Sequence, residues 1–154
     1  MTFTTCDLFD ADETLQSVSL QLLNLGGHTR FSGPVRTIRC HRDNGLVKST
    51  LNSAGGGAVL VVDGGGSLES ALMGDMIAAA AVANGWAGVV VNGAIRDRAA
   101  LAGLELGVKA LGSNPRKSAK DGVGETEVVL EFGGVVFTPG AMLWSDEDGI
   151  LVAG

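Results

Sequence analysis

The feature that most constrains this chain is one contiguous unit between Ala58 and Asp97. An apolar run, Ala58-Val59-Leu60-Val61-Val62, ends in Asp63 and a glycine triplet, Gly64-Gly65-Gly66. A continuous β-branched run of this kind reads as a strand buried on both faces. Gly74-Asp75-Met76-Ile77 then opens an alanine-rich segment. Met76 to Ala83 holds only residues that a helix accepts, and Gly85 stands where a helix-terminating glycine belongs. A second apolar run, Gly88-Val89-Val90-Val91, leads through Asn92-Gly93 to Arg96-Asp97. The order is strand, loop, helix, strand, and then a charged pair at a strand end.

That order carries chemistry. The first amides of a helix have no partners inside it, and they and the dipole favour an anion beyond the N-terminus. Arg96 is a permanent cation whose fork suits carboxylates. Asp97 cannot serve the same anion, but it can hold a hard cation. Exposed amides, an arginine and a metal-binding acid together suit a 2-oxo acid. Taken alone, Gly74 to Ile77 is only a helix start with a favourable acid, and Arg96-Asp97 is a surface ion pair worth little. Adjacent residues on an extended chain point to opposite sides, so these two need not pair with one another.

Asp75, the twenty residues after it and the pair Arg96-Asp97 resemble the mark of the class II aldolase/RraA-like family, also called the regulator of ribonuclease activity A family. Further likenesses lie in Val62-Asp63-Gly64-Gly65-Gly66-Ser67-Leu68, Gly85-Trp86-Ala87-Gly88, Gly107-Val108-Lys109-Ala110 and Phe132-Gly133-Gly134-Val135. The resemblance runs from about Leu22 to Val152. It implies an α/β fold, a three-layer β/β/α domain of the swivelling type spanning 1–154. It also implies a homotrimer with sites between subunits, with the pairing of two trimers left open.

For the site, the resemblance implies that the amides of Gly74, Asp75, Met76 and Ile77 bind a substrate carboxylate and that Arg96 contacts the 2-oxo acid. Asp97 would bind a divalent cation, Mg2+ or Mn2+, through one carboxylate and several waters, while Asp75 shapes the surrounding waters. The implied activity is a carbon–carbon lyase that cleaves 4-hydroxy-4-methyl-2-oxoglutarate to pyruvate and also decarboxylates oxaloacetate. Both reactions pass through a pyruvate enolate. The alternative from the same resemblance is a non-catalytic regulator that binds ribonuclease E. Such members tend to lack the complete Arg-Asp pair, which this chain keeps. Catalytic relatives often carry an acid where Ala100 stands, and longer members add a C-terminal glutamate beyond the point where Gly154 ends this sequence. Both departures imply a weakened activity. A menaquinone methyltransferase label has been attached to similar sequences, but no cofactor pocket is legible here.

Composition narrows the rest. A net charge of −6 argues against sequence-independent binding to nucleic acid, which needs a basic footprint. Two cysteines, Cys6 and Cys40, read as free thiols in a reducing cytosol. The acidic N-terminus does not read as a signal peptide, and no apolar run is long enough to span a bilayer. His28 and His41 are too few and badly spaced for zinc, and Ser67 lacks a matching base for a triad. The glycine triplet followed by Asp75 comes too close to an acid for a dinucleotide loop, so it reads as close backbone approach at a site wall.

Along the chain, Cys6 to Asp10 is a short helical or irregular start. Leu20–Leu25, Phe31–Arg39, Val108–Leu111, Val128–Phe132, Val135–Phe137 and Ile150–Val152 read as strands. Asn44 or Asp43 caps a helix to about Leu51, and Arg98 to Leu104 is a short helix or turn. Gly133-Gly134 marks a hairpin. Pro139-Gly140 and Trp144 to Gly149 read as turns, and Arg116 to Lys120 as a solvated basic loop. Trp86 belongs to the core or an interface. The total is about eight strands and three helices.

Overall fold

The protein is described here by a computed structural model covering residues 2–154. The elements are α1 (Thr5–Ala11), β1 (Gln16–Ser17), β2 (Leu23–Asn24), β3 (Phe31–Arg39), α2 (Gly45–Leu51), β4 (Val59–Asp63), α3 (Asp75–Ala83) and β5 (Gly88–Ile95). There follow α4 (Arg98–Leu101), β6 (Gly107–Ser113), β7 (Glu125–Thr126), β8 (Leu130–Phe132), β9 (Val135–Phe137), β10 (Met142–Ser145) and β11 (Ile150–Val152).

The expected unit sits at the centre. β4 pairs in parallel with β5, from Val59↔Gly88 to Asp63↔Asn92, and β3 and β6 flank them in parallel. Alternation along β4 and β5 explains why both runs are apolar throughout. Leu60, Val62, Val89 and Val91 meet Val47 and Leu51 of α2 and Ala78 and Ala81 of α3 in one core. Val59, Val61 and Val90 face the other way and meet Leu130, Phe137, Leu143, Ile150 and Val152 in a second core. A sheet with helices on one face and further strands on the other is the three-layer α/β arrangement expected.

β3 belongs to both sheets. Its first half, Phe31 to Pro34, pairs antiparallel with β10, and its second half, Val35 to Arg39, pairs parallel with β4. The Phe31 ring lies across Gly88 and Gly107 on neighbouring strands, where an added Cβ would overlap its ring carbons. Gly107→Ala is therefore expected to destabilise the fold by about 1–3 kcal/mol through overpacking. A urea midpoint matching that of the unmodified protein would contradict this seat.

Several boundaries differ from the sequence reading. Of Leu20–Leu25, only Leu23–Asn24 pairs, with β6, while Leu20 and Leu22 pack against the second core without joining a ladder. Their apolarity reflects burial and not pairing. Trp144 and Ser145 end strand β10, opposite Ser32 and Phe31, and the turn begins only at Asp146. α4 stops at Leu101. The hairpin holds, with Phe132↔Val135 closing on Gly133 and Gly134, both at positive φ as a two-residue turn requires.

Two buried polar groups fix the first helix. The Lys109 ammonium donates to the Asp146 carbonyl oxygen at 2.7 Å, and burial lowers its pKa. The Asp146 carboxylate accepts the Thr5 N–H and hydroxyl, both at 2.7 Å, which ties α1 to the sheet. Trp86 is buried, and its indole N–H donates to the Ser53 carbonyl oxygen.

Both cysteines are free, Cys6 exposed and Cys40 buried. Burial, with Asp43 and Asp63 nearby, pushes the Cys40 thiol up to about 12. A disulfide reagent at pH 8 should therefore modify Cys6 alone until the chain is unfolded. Two rapidly reacting thiols in the native protein would contradict this. Among the described residues no helix is long and apolar enough to cross a membrane.

Candidate active site

The stretch before α3 brings the site together. Leu72 donates its N–H to Ala94 at 2.8 Å, and Arg96 donates to Met73 at 2.9 Å, so residues 71–73 run beside the end of β5. Gly74 is thereby delivered next to Arg96 and Asp97. On the other side of the same stretch, Ala71 pairs with Lys117 and donates to the Arg116 carbonyl oxygen at 2.7 Å. The buried Ser118 hydroxyl donates to the Ala71 carbonyl oxygen and meets the Ser70 hydroxyl, each at 2.7 Å. The register of β5 against β6 shifts between Val91 and Ala94, an irregularity of the kind that re-aims a strand end.

Arg96 and Asp97 do not point to opposite sides, because the chain is not extended there. Asp97 adopts a left-handed conformation, φ 62° and ψ 44°. A non-glycine residue held so costs about 1 kcal/mol or more, a strain typical of functional sites. The turn carries the Asp97 carboxylate back to α3, where Oδ2 accepts the Asp75 N–H at 3.0 Å and lies 3.9 Å from Arg96 Nε. Gly74 fits beneath both, since an added Cβ would stand 2.7 Å from Asp97 Oδ2 and 3.2 Å from Arg96 Nε. Asp97 thus takes the first amide of α3. The N–H groups of Met76 and Ile77 have no protein acceptor among the described residues.

These groups border a cavity of about 110 Å³, lined by Met73 to Ile77, Arg96, Asn44, Lys48, Ala71, Lys117 and Lys120. Asp97 does not line it directly and lies against Gly74 and the Asp75 amide. In a chain of net charge −6, four cations gather at one small cavity. The basic loop is therefore not merely solvated, because its pairing with Ala71 turns Lys117 and Lys120 to the site. Sequence reasoning missed these two lysines, Lys48 and Asn44. The Arg116-to-Lys120 run was the visible signal, but nothing local said which segment it would pair with.

Asn44 does not cap α2 through its side chain; Asp43 Oδ1 accepts the Gly45 N–H at 2.9 Å instead. The Asn44 Oδ1 atom is buried and has no hydrogen-bond partner among the described residues. Backbone amides, Gly45 foremost, hold the Asp43 carboxyl below the usual aspartate range. The glycine triplet does not line this cavity. Gly64 and Gly66 donate to the Asn92 carbonyl oxygen, at 3.0 and 3.1 Å, and close over the middle of β5 where β4 ends.

Among the described residues no cluster of three or more His, Cys, Asp or Glu is arranged for a metal. Asp97 and Asp75 are the carboxylates at the site. That donor set does not fit zinc, and it fits a hard cation that keeps most of its waters.

A family model for RraA-like proteins, aldolase/RraA, matches residues 5–152. The chain belongs to the RraA-like family. Among solved structures, an RraA from Thermus thermophilus, described as an RNA-processing inhibitor, is 46% identical with a TM-score of 0.96, covering 99% of this chain and 93% of that one. A Geobacillus kaustophilus protein described as an S-adenosylmethionine:2-dimethylmenaquinone methyltransferase is 45% identical, TM-score 0.96, covering 98% and 94%. Streptomyces coelicolor RraAS2, described as an unusual member of the RNase ES inhibitor RraA family, is 27% identical, TM-score 0.77, covering 96% and 76%. The architecture agrees with the RraA-like assignment.

Proposed function

We propose that this RraA-like protein is a divalent-metal-dependent carbon–carbon lyase for 2-oxo acids, a 4-hydroxy-4-methyl-2-oxoglutarate aldolase that also decarboxylates oxaloacetate. One observation carries the reading: two unpartnered helix amides, Met76 and Ile77, share a cavity with Arg96, while the strained Asp97 stands beside them. The amides hold the substrate carboxylate in place. The Arg96 guanidinium, anchored on the Pro115 carbonyl oxygen at 3.4 Å, faces the 2-oxo group. Breaking the carbon–carbon bond leaves an enolate, and a fixed cation aimed at that oxygen lowers the barrier. Asp97 would hold the divalent cation, with Asp75 ordering its waters, and a cation held there would supply further positive charge to the developing enolate.

The assay is pyruvate release from both substrates over a titration of Mg2+ and Mn2+. Metal-dependent release from either supports the reading; none from both, with correctly folded protein, overturns it. We further propose that the site is completed by a second subunit of a homotrimer. Met76 beside the cavity and Leu68 are exposed apolar side chains, 84% and 48%, that such a contact would cover.

The second reading, a regulator that binds a ribonuclease E-type enzyme, draws on the inhibitor descriptions of relatives 46% and 27% identical. A regulator binds that ribonuclease without metal and keeps binding after Arg96→Ala. Lyase activity lost in Arg96→Ala, with no ribonuclease binding in either protein, decides for the enzyme.

A further inference from the structure

We infer that Asp43 is a positioning residue for this site, holding the segment from Lys117 to Val123 against the start of α2 so that Lys117 and Lys120 stay on the cavity wall. The inference rests on the 2-oxo acid reading of that cavity.

Asp43 is only 5% exposed, yet its carboxylate pairs with no cation among the described residues. Its partners are four backbone amides. Oδ1 accepts the N–H of Gly45 at 2.9 Å and of Gly122 at 3.1 Å; Oδ2 accepts Asp121 at 3.1 Å and Val123 at 3.3 Å. One of these donors opens α2, and the other three lie 78 to 80 residues away. The main chain repeats the link. Asn44 donates to Ala119 at 2.8 Å, and Ala119 donates to Arg42 at 3.0 Å.

Lys120 therefore sits between two anchored neighbours, Ala119 and Asp121. Lys117 is anchored from the other side by its pairing with Ala71. Gly45 permits the close approach, since a Cβ there would stand 2.5 Å from the Gly122 nitrogen and 2.7 Å from its Cα. Fully satisfied, the Asp43 network is rigid; with one oxygen replaced by a donor, two amides lose their acceptor and meet a competing N–H.

The consequence is selective. With the 2-oxo acid end on Arg96 and the α3 amides, a second carboxylate on the same small molecule is left to the lysines. Asp43 therefore governs dicarboxylates such as oxaloacetate and not monocarboxylates such as pyruvate.

The test uses the full chain with Asp43→Asn and, as a second variant, Gly45→Ala, whose Cβ crowds the Gly122 nitrogen at 2.5 Å and Asp43 Oδ1 at 3.3 Å while keeping the carboxylate's charge. In both, KM for oxaloacetate should rise about tenfold with kcat changed less than about threefold, while inhibition by pyruvate stays within about twofold. Amide hydrogen exchange at Asp121 to Val123 should quicken in Asp43→Asn. Equal shifts for oxaloacetate and pyruvate, or no shift in a folded variant, overturn the inference. A wild-type protein without activity overturns the lyase reading instead. The oxaloacetate-to-pyruvate split is then read by calorimetric binding, and binding of neither by the wild type overturns both.

Discussion

Asp97→Ala is expected to lower metal-dependent pyruvate release from oxaloacetate by about 10²–10³-fold, the scale set by removing one preorganised charge-stabilising group from an active site. The substitution also removes the acceptor of the Asp75 N–H, so lost activity could reflect a loosened helix start. Asp97→Asn separates the two effects. Its side-chain oxygen can still accept that N–H, but a neutral amide is a much weaker ligand for a hard cation than a carboxylate. Activity as low in Asn as in Ala assigns the role to charge. Activity near wild type in Asn assigns it to the helix cap and counts against a metal at Asp97. The Asn variant should melt above the Ala variant, because it keeps an acceptor for the Asp75 N–H and adopts the left-handed backbone at φ 62° more readily than alanine.

Gly74→Ala is the second large effect, and it acts without altering a charged group. The backbone there is extended, φ −122° and ψ −166°, so alanine fits the conformation itself. The added Cβ instead meets side-chain atoms, Asp97 Oδ2 at 2.7 Å and Arg96 Nε and Cγ at 3.2 and 3.3 Å, and no backbone. The cheapest relief is to push Asp97 off the Asp75 amide and swing Arg96 aside. Stability should therefore change by less than about 1 kcal/mol, while kcat/KM falls by about 10- to 100-fold because the displaced groups sit at the reacting centre. Unfolding midpoints and steady-state kinetics on the same preparation check both halves. A destabilised but fully active variant would show that Gly74 serves packing alone.

The sequence disclosed the part of the site that lies within one continuous unit. β4, α3 and β5 are local patterns, and each says where it ends: Asp63, Gly85 and the Arg96-Asp97 pair. Physical reasoning could place Gly74 and Arg96 at one sheet edge because a helix start and the end of the next strand can converge there. It could not foresee the left-handed turn at Asp97, since no glycine or asparagine announces it and the constraint comes from the α3 amide. Nor could it foresee the wall built by Asn44, Lys48, Lys117 and Lys120. Those residues meet through pairings of Asp43 with Ala119 and of Ala71 with Lys117, non-local contacts without a sequence period. The same limit misplaced the glycine triplet, which folds over Asn92 and not onto the cavity. For the fold, the buried central strands were plain, whereas Gln16–Ser17, Glu125–Thr126 and the reach of β10 through Trp144 and Ser145 depend on partners far along the chain.

The most direct test of the central claim is an NMR titration of amide-labelled protein with pyruvate in the presence of Mg2+. The account predicts that the Met76 and Ile77 N–H resonances and the Arg96 side-chain Nε–H shift together with one saturation curve, and that Arg96→Ala weakens the curve. Saturable shifts confined to another part of the molecule, or none at these three groups, would contradict it.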